Sequence, residues 1–135
     1  MTVTPTAGSA RTPGPYSDVI RKRWRRPSFR GDLPGATAIA EDVNPLCGDR
    51  VRMQLVIDAD RVTAARFAGD SCAICTASAD VVSELATGRQ ATDVSRLEET
   101  EVLEILDADI RPTRRRCVTL PIDVMKKALR SLGGS

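Results

Sequence analysis

Four cysteines and no histidine set the chemistry that this 135-residue chain can attempt. Without imidazole, a metal or a transferable group must be held by thiolate, carboxylate, amine or guanidinium. Cys47 lies in the Pro/Gly turn "NPLCGDR" ahead of a strand-like run, Cys72 opens a helical stretch, and Cys117 stands at the start of another, behind Arg114, Arg115 and Arg116. Cysteine is a small residue that is usually buried, so any one of these reads first as core. Three of them at loop-helix or loop-strand junctions weaken that reading. Helix N-termini and neighbouring cations favour thiolate, the form that both metal ions and sulfur-transfer chemistry require. On this reasoning both Cys72 and Cys117 are placed to ionise, and Cys117 has three arginines beside it as well. Cys75, one turn into its helix, has no basic neighbour and reads as a packed side chain.

The elements that must carry these residues follow from periodicity. Ser17 is placed to cap a helix over 18–26, with Val19, Ile20, Arg23 and Trp24 on one side and Pro27 as its stop. Its run "RKRWRR" fits a nucleic-acid patch less well than a solvated helix face with Trp24 packed inward, because no second basic and aromatic cluster accompanies it. Residues 36–43 read as an edge strand. Residues 51–58 alternate, with Val51, Met53, Leu55 and Ile57 on one face; "DAD" at 58–60 is a tight turn, and 61–69 returns as a third strand. A helix over 72–87 follows, capped by Asp70 or Ser71 and ended by Gly88. A Ser95–Glu98 capping box predicts a helix over 96–106. The last helix turns Val124, Met125, Ala128, Leu129 and Leu132 inward, with Pro121 expected in its first turn. The order of elements predicts an α+β fold, a small three-stranded antiparallel sheet covered by helices on one face. Residues 1–15 lack apolar periodicity and read as a disordered leader, leaving 16–135 as one domain.

Composition narrows the functional classes. Twenty basic and 18 acidic residues give a formal charge of +2, which points to no nucleic-acid or other polyionic partner. No apolar run is long enough for a membrane span, and no signal-like segment follows Met1, so a cytoplasmic protein with reduced thiols is expected. With one Trp, one Tyr and two Phe the core is built from aliphatic residues, and a bound metal would help to stabilise it. "CAIC" has the spacing of a thioredoxin-like redox pair, but the strands before it read as a hairpin and not as a parallel βαβ unit. A zinc knuckle is excluded by spacing, since neither Cys47 nor Cys117 has a cysteine two residues away.

Taken in order, "YSDVIRKRWRRPSFRGDLP", "NPLCGDR", "FAGDSCAICTASADVV" and "RRRCVTL" resemble the iron-sulfur scaffold family of IscU, the NifU N-terminal domain and SufU. The likeness runs from Tyr16 to Leu132, with the first two motif cysteines 25 positions apart. It implies a SufE/IscU-like fold and a site of Cys47, Asp49, Cys72 and Cys117, at which Cys117, beside its arginines, is the first candidate persulfide acceptor and Cys72 and Cys47 stay open. The implied cofactor is zinc, or iron as a labile [2Fe–2S] cluster. Implied partners are a cysteine desulfurase of the SufS, IscS or NifS kind and recipient iron-sulfur proteins, with no nucleic acid and no membrane. The resemblance leaves two functions open, a cluster scaffold and a SufU-like zinc-dependent sulfur acceptor; a zinc-stabilised interaction domain without transfer chemistry lies outside it. Arg116 occupies the position before the third cysteine where IscU and NifU members carry His, which resembles SufU, yet SufU's insertion between the second and third cysteines is missing. Of IscU's LPPVK chaperone segment only Pro112 remains, and Cys75 is an addition to the family's ligands. Asp49, apart from the resemblance, is a turn-capping residue.

Overall fold

The computed structural model describes residues 16–46 and 48–132; the leader reading for 1–15, the Cys47 assignment and the last three residues lie outside them. Helix α1 (Asp18–Arg25) precedes three strands, β1 (Ala38–Asn44), β2 (Asp49–Asp58) and β3 (Arg61–Ala68). Helices α2 (Ala73–Ala86), α3 (Ala91–Val94) and α4 (Glu99–Leu106) follow, then a 3₁₀ turn at Pro112–Arg114 that runs into α5 (Arg115–Leu132). The sheet is antiparallel throughout in the order β1-β2-β3, so the predicted α+β architecture is the observed one.

Alternation decides which sheet face is covered. Ala38 and Ala40 of β1, Val51, Met53 and Leu55 of β2, and Val62, Ala65 and Phe67 of β3 are buried on the face that carries α2 and α5. Ile57 was expected among them but is only partly buried, because a register shift between Val56 and Ile57 breaks the two-residue period. The β2–β3 turn puts Ala59 and Asp60 at φ of 52° and 64°, a pair of left-handed residues whose twist suits a two-residue hairpin. Across the outer face, Gln54 accepts from the Leu33 N–H at 3.0 Å and donates to the Gly31 carbonyl at 2.9 Å, which pins the loop after α1.

Helix α2 is the centre of the molecule. Eleven of its residues are buried, many of them small, so α1, α4, α5 and the sheet all pack closely against it. Its one buried carboxylate, Asp80, accepts from Arg23 of α1 (2.8 Å) and from the Phe29 N–H (2.8 Å). Ser17 caps α1 as predicted, accepting from the Ile20 N–H at 3.2 Å, and its hydroxyl also donates to the Leu106 carbonyl at the end of α4.

Three local expectations are corrected. Trp24 is 48% exposed, because Ile20 takes the inward position of α1. The helix predicted from residue 96 starts at Glu99: the Ser95 hydroxyl donates to the Thr92 carbonyl and closes the α3 turn, so it caps nothing downstream. Pro121 lies well inside α5 and not in its first turn. It has no N–H for the Cys117 carbonyl, and beside this interruption Ser78 of α2 donates to the Val118 carbonyl at 2.8 Å.

Candidate metal centre

Three chain segments end at the same corner of the sheet. Asp49 begins β2, directly after the turn that follows β1; Asn44 shapes that turn by accepting from the Gly48 N–H through its carbonyl (2.8 Å) and from the Leu46 N–H through its side chain (3.3 Å). Cys72 is the N-cap of α2, extended at φ −69° and ψ 171°, with its sulfur accepting from the Cys75 N–H at 3.4 Å. Cys117 sits in the first turn of α5. Gly69 sets the approach of the second segment to the first: at φ +119°, a Cβ there would press into the Arg50 carbonyl. Next to it, the Arg50 N–H donates to the Asp70 carbonyl at 2.8 Å.

The result is a set of two sulfurs and one carboxylate oxygen, from Asp49, Cys72 and Cys117, all within 4.8 Å of one another. Asp49 is buried and joins the other two. One oxygen accepts from the Cys72 N–H at 2.9 Å and the other from the Cys117 thiol at 3.5 Å. A tetrahedral zinc with bonds of about 2.3 Å to sulfur and about 2.0 Å to oxygen would hold such atoms about 3.5 Å apart. The donor types and their spacing therefore fit a divalent ion or the edge of a thiolate-held cluster. Cys47 belongs to the adjoining turn in sequence and lies outside the described residues.

Of the three arginines before Cys117, one faces the site. The Arg114 guanidinium donates to the Cys72 sulfur at 3.4 Å, and hydrogen bonds to the Cys117 and Cys72 thiols hold it charged above its already high ordinary value. Its Nε is buried without a partner among the described residues, a donor left over beside two sulfurs. Arg115 pairs with Glu99 and Arg116 with Asp123, so neither charge reaches the thiols.

This changes the reading of Cys117. It is fully buried, and burial pushes its thiol up to about 12, with the Arg114 hydrogen bond opposing and Cys72 and Asp49 adding to the rise. The low pKa and exposure expected of an acceptor are not found there. Cys72, only half-buried, is the accessible thiol among the described ones. Cys75 is buried beneath it; burial first, then the charges of Asp49 and Cys72, push its thiol up as well. A bound cation would reverse the balance for its ligands, since metals take thiols as thiolates. Sequence reasoning missed that Asp49 braces both cysteines and that Arg114 alone reaches them.

A three-stranded antiparallel sheet backed by helices gathers thiols and a carboxylate at its corner, the donor set of a small thiol-rich domain that could hold a metal ion. The chain belongs to the NifU-like N terminal domain family, whose profile matches residues 15–133. It is 31% identical to the "iron-sulfur cluster assembly scaffold protein IscU" of Thermotoga maritima, over 87% of this chain and 94% of that one. The "zinc-dependent sulfurtransferase SufU" of Bacillus subtilis is 27% identical over 84% of this chain and 88% of that protein. A "bifunctional protein NifU/MnmA" of Rubrobacter xylanophilus is 28% identical over 86% of this chain, which spans only 24% of that longer protein. Among solved structures, a candidate SUF-system scaffold (SufU) from Fervidobacterium islandicum superposes with a TM-score of 0.73 at 26% identity, covering 84% of this chain and 96% of that one.

Proposed function

We propose that this protein is an iron-sulfur cluster assembly scaffold, which receives sulfur from a cysteine desulfurase, carries iron or a labile [2Fe–2S] cluster as cargo, and passes it to recipient proteins. The observation that carries this reading is the convergence of Asp49, Cys72 and Cys117 within 4.8 Å in a chain of the NifU-like family. Cys47 joins them as the remaining thiol ligand by its motif, and Asp49 is the oxygen donor. One hard carboxylate in a soft thiolate set makes the cargo easier to release than four thiolates would. Sulfur enters at Cys72, the accessible thiol among the described residues, while Arg114 stabilises charge on either sulfur. Reduced thiols are needed at every step, which suits a cytoplasmic setting.

A SufU-like zinc-dependent sulfur acceptor is the second reading. It is favoured by the SufU relatives and by Arg116 in the position before the third cysteine. In that case a resident zinc would sit on the same ligands and keep them as thiolates.

Anaerobic purification followed by metal analysis, then reconstitution with iron, L-cysteine and a bacterial cysteine desulfurase, decides between them. A visible chromophore that moves to an apo-ferredoxin supports the scaffold. Faster desulfurase turnover on a zinc-loaded protein, with no chromophore, supports the sulfur acceptor. Protein that binds neither metal and leaves the desulfurase unchanged refutes both.

A further inference from the structure

Cys75 has no part in the site as assembled so far, yet it lies directly under it. It is fully buried in the first turn of α2, and its own N–H donates to the Cys72 sulfur at 3.4 Å. That bond places the Cys72 sulfur over the turn from which Cys75 springs. Helical side chains lean back toward the N-terminus, so the Cys75 thiol rises toward Cys72. Residues three apart at a helix start lie within the Cα span of about 4.4–6.8 Å that a disulfide bridges. The Ser71 side chain and the charge of Cys72 both act on the Cys75 thiol, which sets it close to the N-terminal end of α2.

We propose that Cys75 is a resolving thiol that converts sulfur delivered to Cys72 into free sulfide. The inference rests on the sulfur-accepting reading above. Sulfur arrives as a persulfide, whose outer atom is two electrons more oxidised than the sulfide of a cluster. Cys75 attacks the inner sulfur, the one bonded to the Cys72 Cβ. A Cys72–Cys75 disulfide bond forms as the persulfide S–S bond breaks. The outer sulfur leaves with the electron pair of that bond as hydrosulfide, and it takes up the proton released by Cys75. One persulfide and one thiol thus become one disulfide and one hydrogen sulfide. An external dithiol reductant then reopens the disulfide by exchange and is itself oxidised. "CAIC" is in this way an electron store that supplies the reduction where the sulfur arrives.

The experiment uses the full chain, purified without air and mixed with a cysteine desulfurase preloaded with L-cysteine and freed of excess cysteine, with no added thiol. The wild-type protein is expected to release hydrosulfide in proportion to the sulfur transferred, and peptide mass mapping to find a Cys72–Cys75 disulfide. Cys75→Ser is expected to keep the added sulfur on Cys72 and to release no hydrosulfide above the blank. Equal release by both proteins, or a disulfide from Cys72 to Cys117, overturns the proposal while sulfur acceptance stands. Sulfur uptake by neither protein overturns the acceptor reading and this proposal with it. The wild-type disulfide map requires no variant, so the outcome does not depend on Cys75→Ser folding well; Cys75→Ala serves as a second control.

Discussion

Replacing Asp49 with alanine tests whether one buried carboxylate holds this corner together before any metal binds. The side chain is 2% exposed and accepts from the Cys72 N–H at 2.9 Å and the Cys117 thiol at 3.5 Å. Hydrogen bonds to a charged acceptor are each worth about 1.5–3 kcal/mol, and an orphaned N–H costs about 1–3 kcal/mol. Against this stands the relief of desolvating a carboxylate, so a net loss of about 2 kcal/mol is expected. At about 2.1 cal/mol/K per residue, a domain of roughly 120 residues loses about 4 °C per kcal/mol, which predicts a fall in Tm of about 8 °C. Melting is followed by circular dichroism in excess chelator, so that loss of a metal ligand adds nothing. Asp49→Asn is the decisive companion: its amide oxygen can still accept from the Cys72 N–H and its NH₂ faces the Cys117 sulfur, so it should lose less than half as much. An alanine variant that melts with the wild type, or an asparagine variant as unstable as alanine, refutes the bracing role.

Other consequences can be checked independently. If metal binding is folding energy here, chelation lowers the wild-type Tm and zinc at about 1,000 times its Kd restores about 4 kcal/mol; identical melts with and without chelator refute a tight site. Burial raises the Cys117 thiol from 9.0 to about 12 in the metal-free fold, so the unfolded chain gives up its proton first as pH rises. Stability is then fully present below about pH 9 and is lost between there and about pH 12, and denaturant midpoints should fall less steeply in Cys117→Ser; parallel profiles refute it. Gly69→Ala forces a side chain against the Arg50 carbonyl at φ +119° and should cost about 2–4 kcal/mol and weaken zinc binding, as read by calorimetry; a neutral substitution refutes the close approach. Asp80→Ala removes the acceptor for Arg23 and the Phe29 N–H, and because Arg23 keeps Glu84 the expected loss in urea denaturation is about 3 kcal/mol, with less than 1 kcal/mol refuting the link.

Periodicity and turn chemistry made the hairpin of β2 and β3, the edge position of β1, the Ser17 cap and the span of α2 readable in the chain alone, because each is decided within a few residues. Local signals placed Cys72 and Cys117 at helix starts for the same reason, whereas Asp49 read as a turn residue and is in fact the first residue of β2. What the sequence could not settle is how these places meet. Asp49 and Cys72 are 23 residues apart and Asp49 and Cys117 are 68 apart, and the carboxylate became a brace only when β2, α2 and α5 closed on one corner. Burial, a property of the packed whole, put Cys117 in the core, where the expected thiolate is disfavoured, and left Cys72 as the accessible thiol among the described residues. Competition among neighbours picked Arg114 from three adjacent arginines, since Glu99 and Asp123 took the other two. Local signals say which residues can do chemistry; the tertiary fold decides which of them touch, because charge, desolvation and hydrogen bonding depend on distance in space and not along the chain.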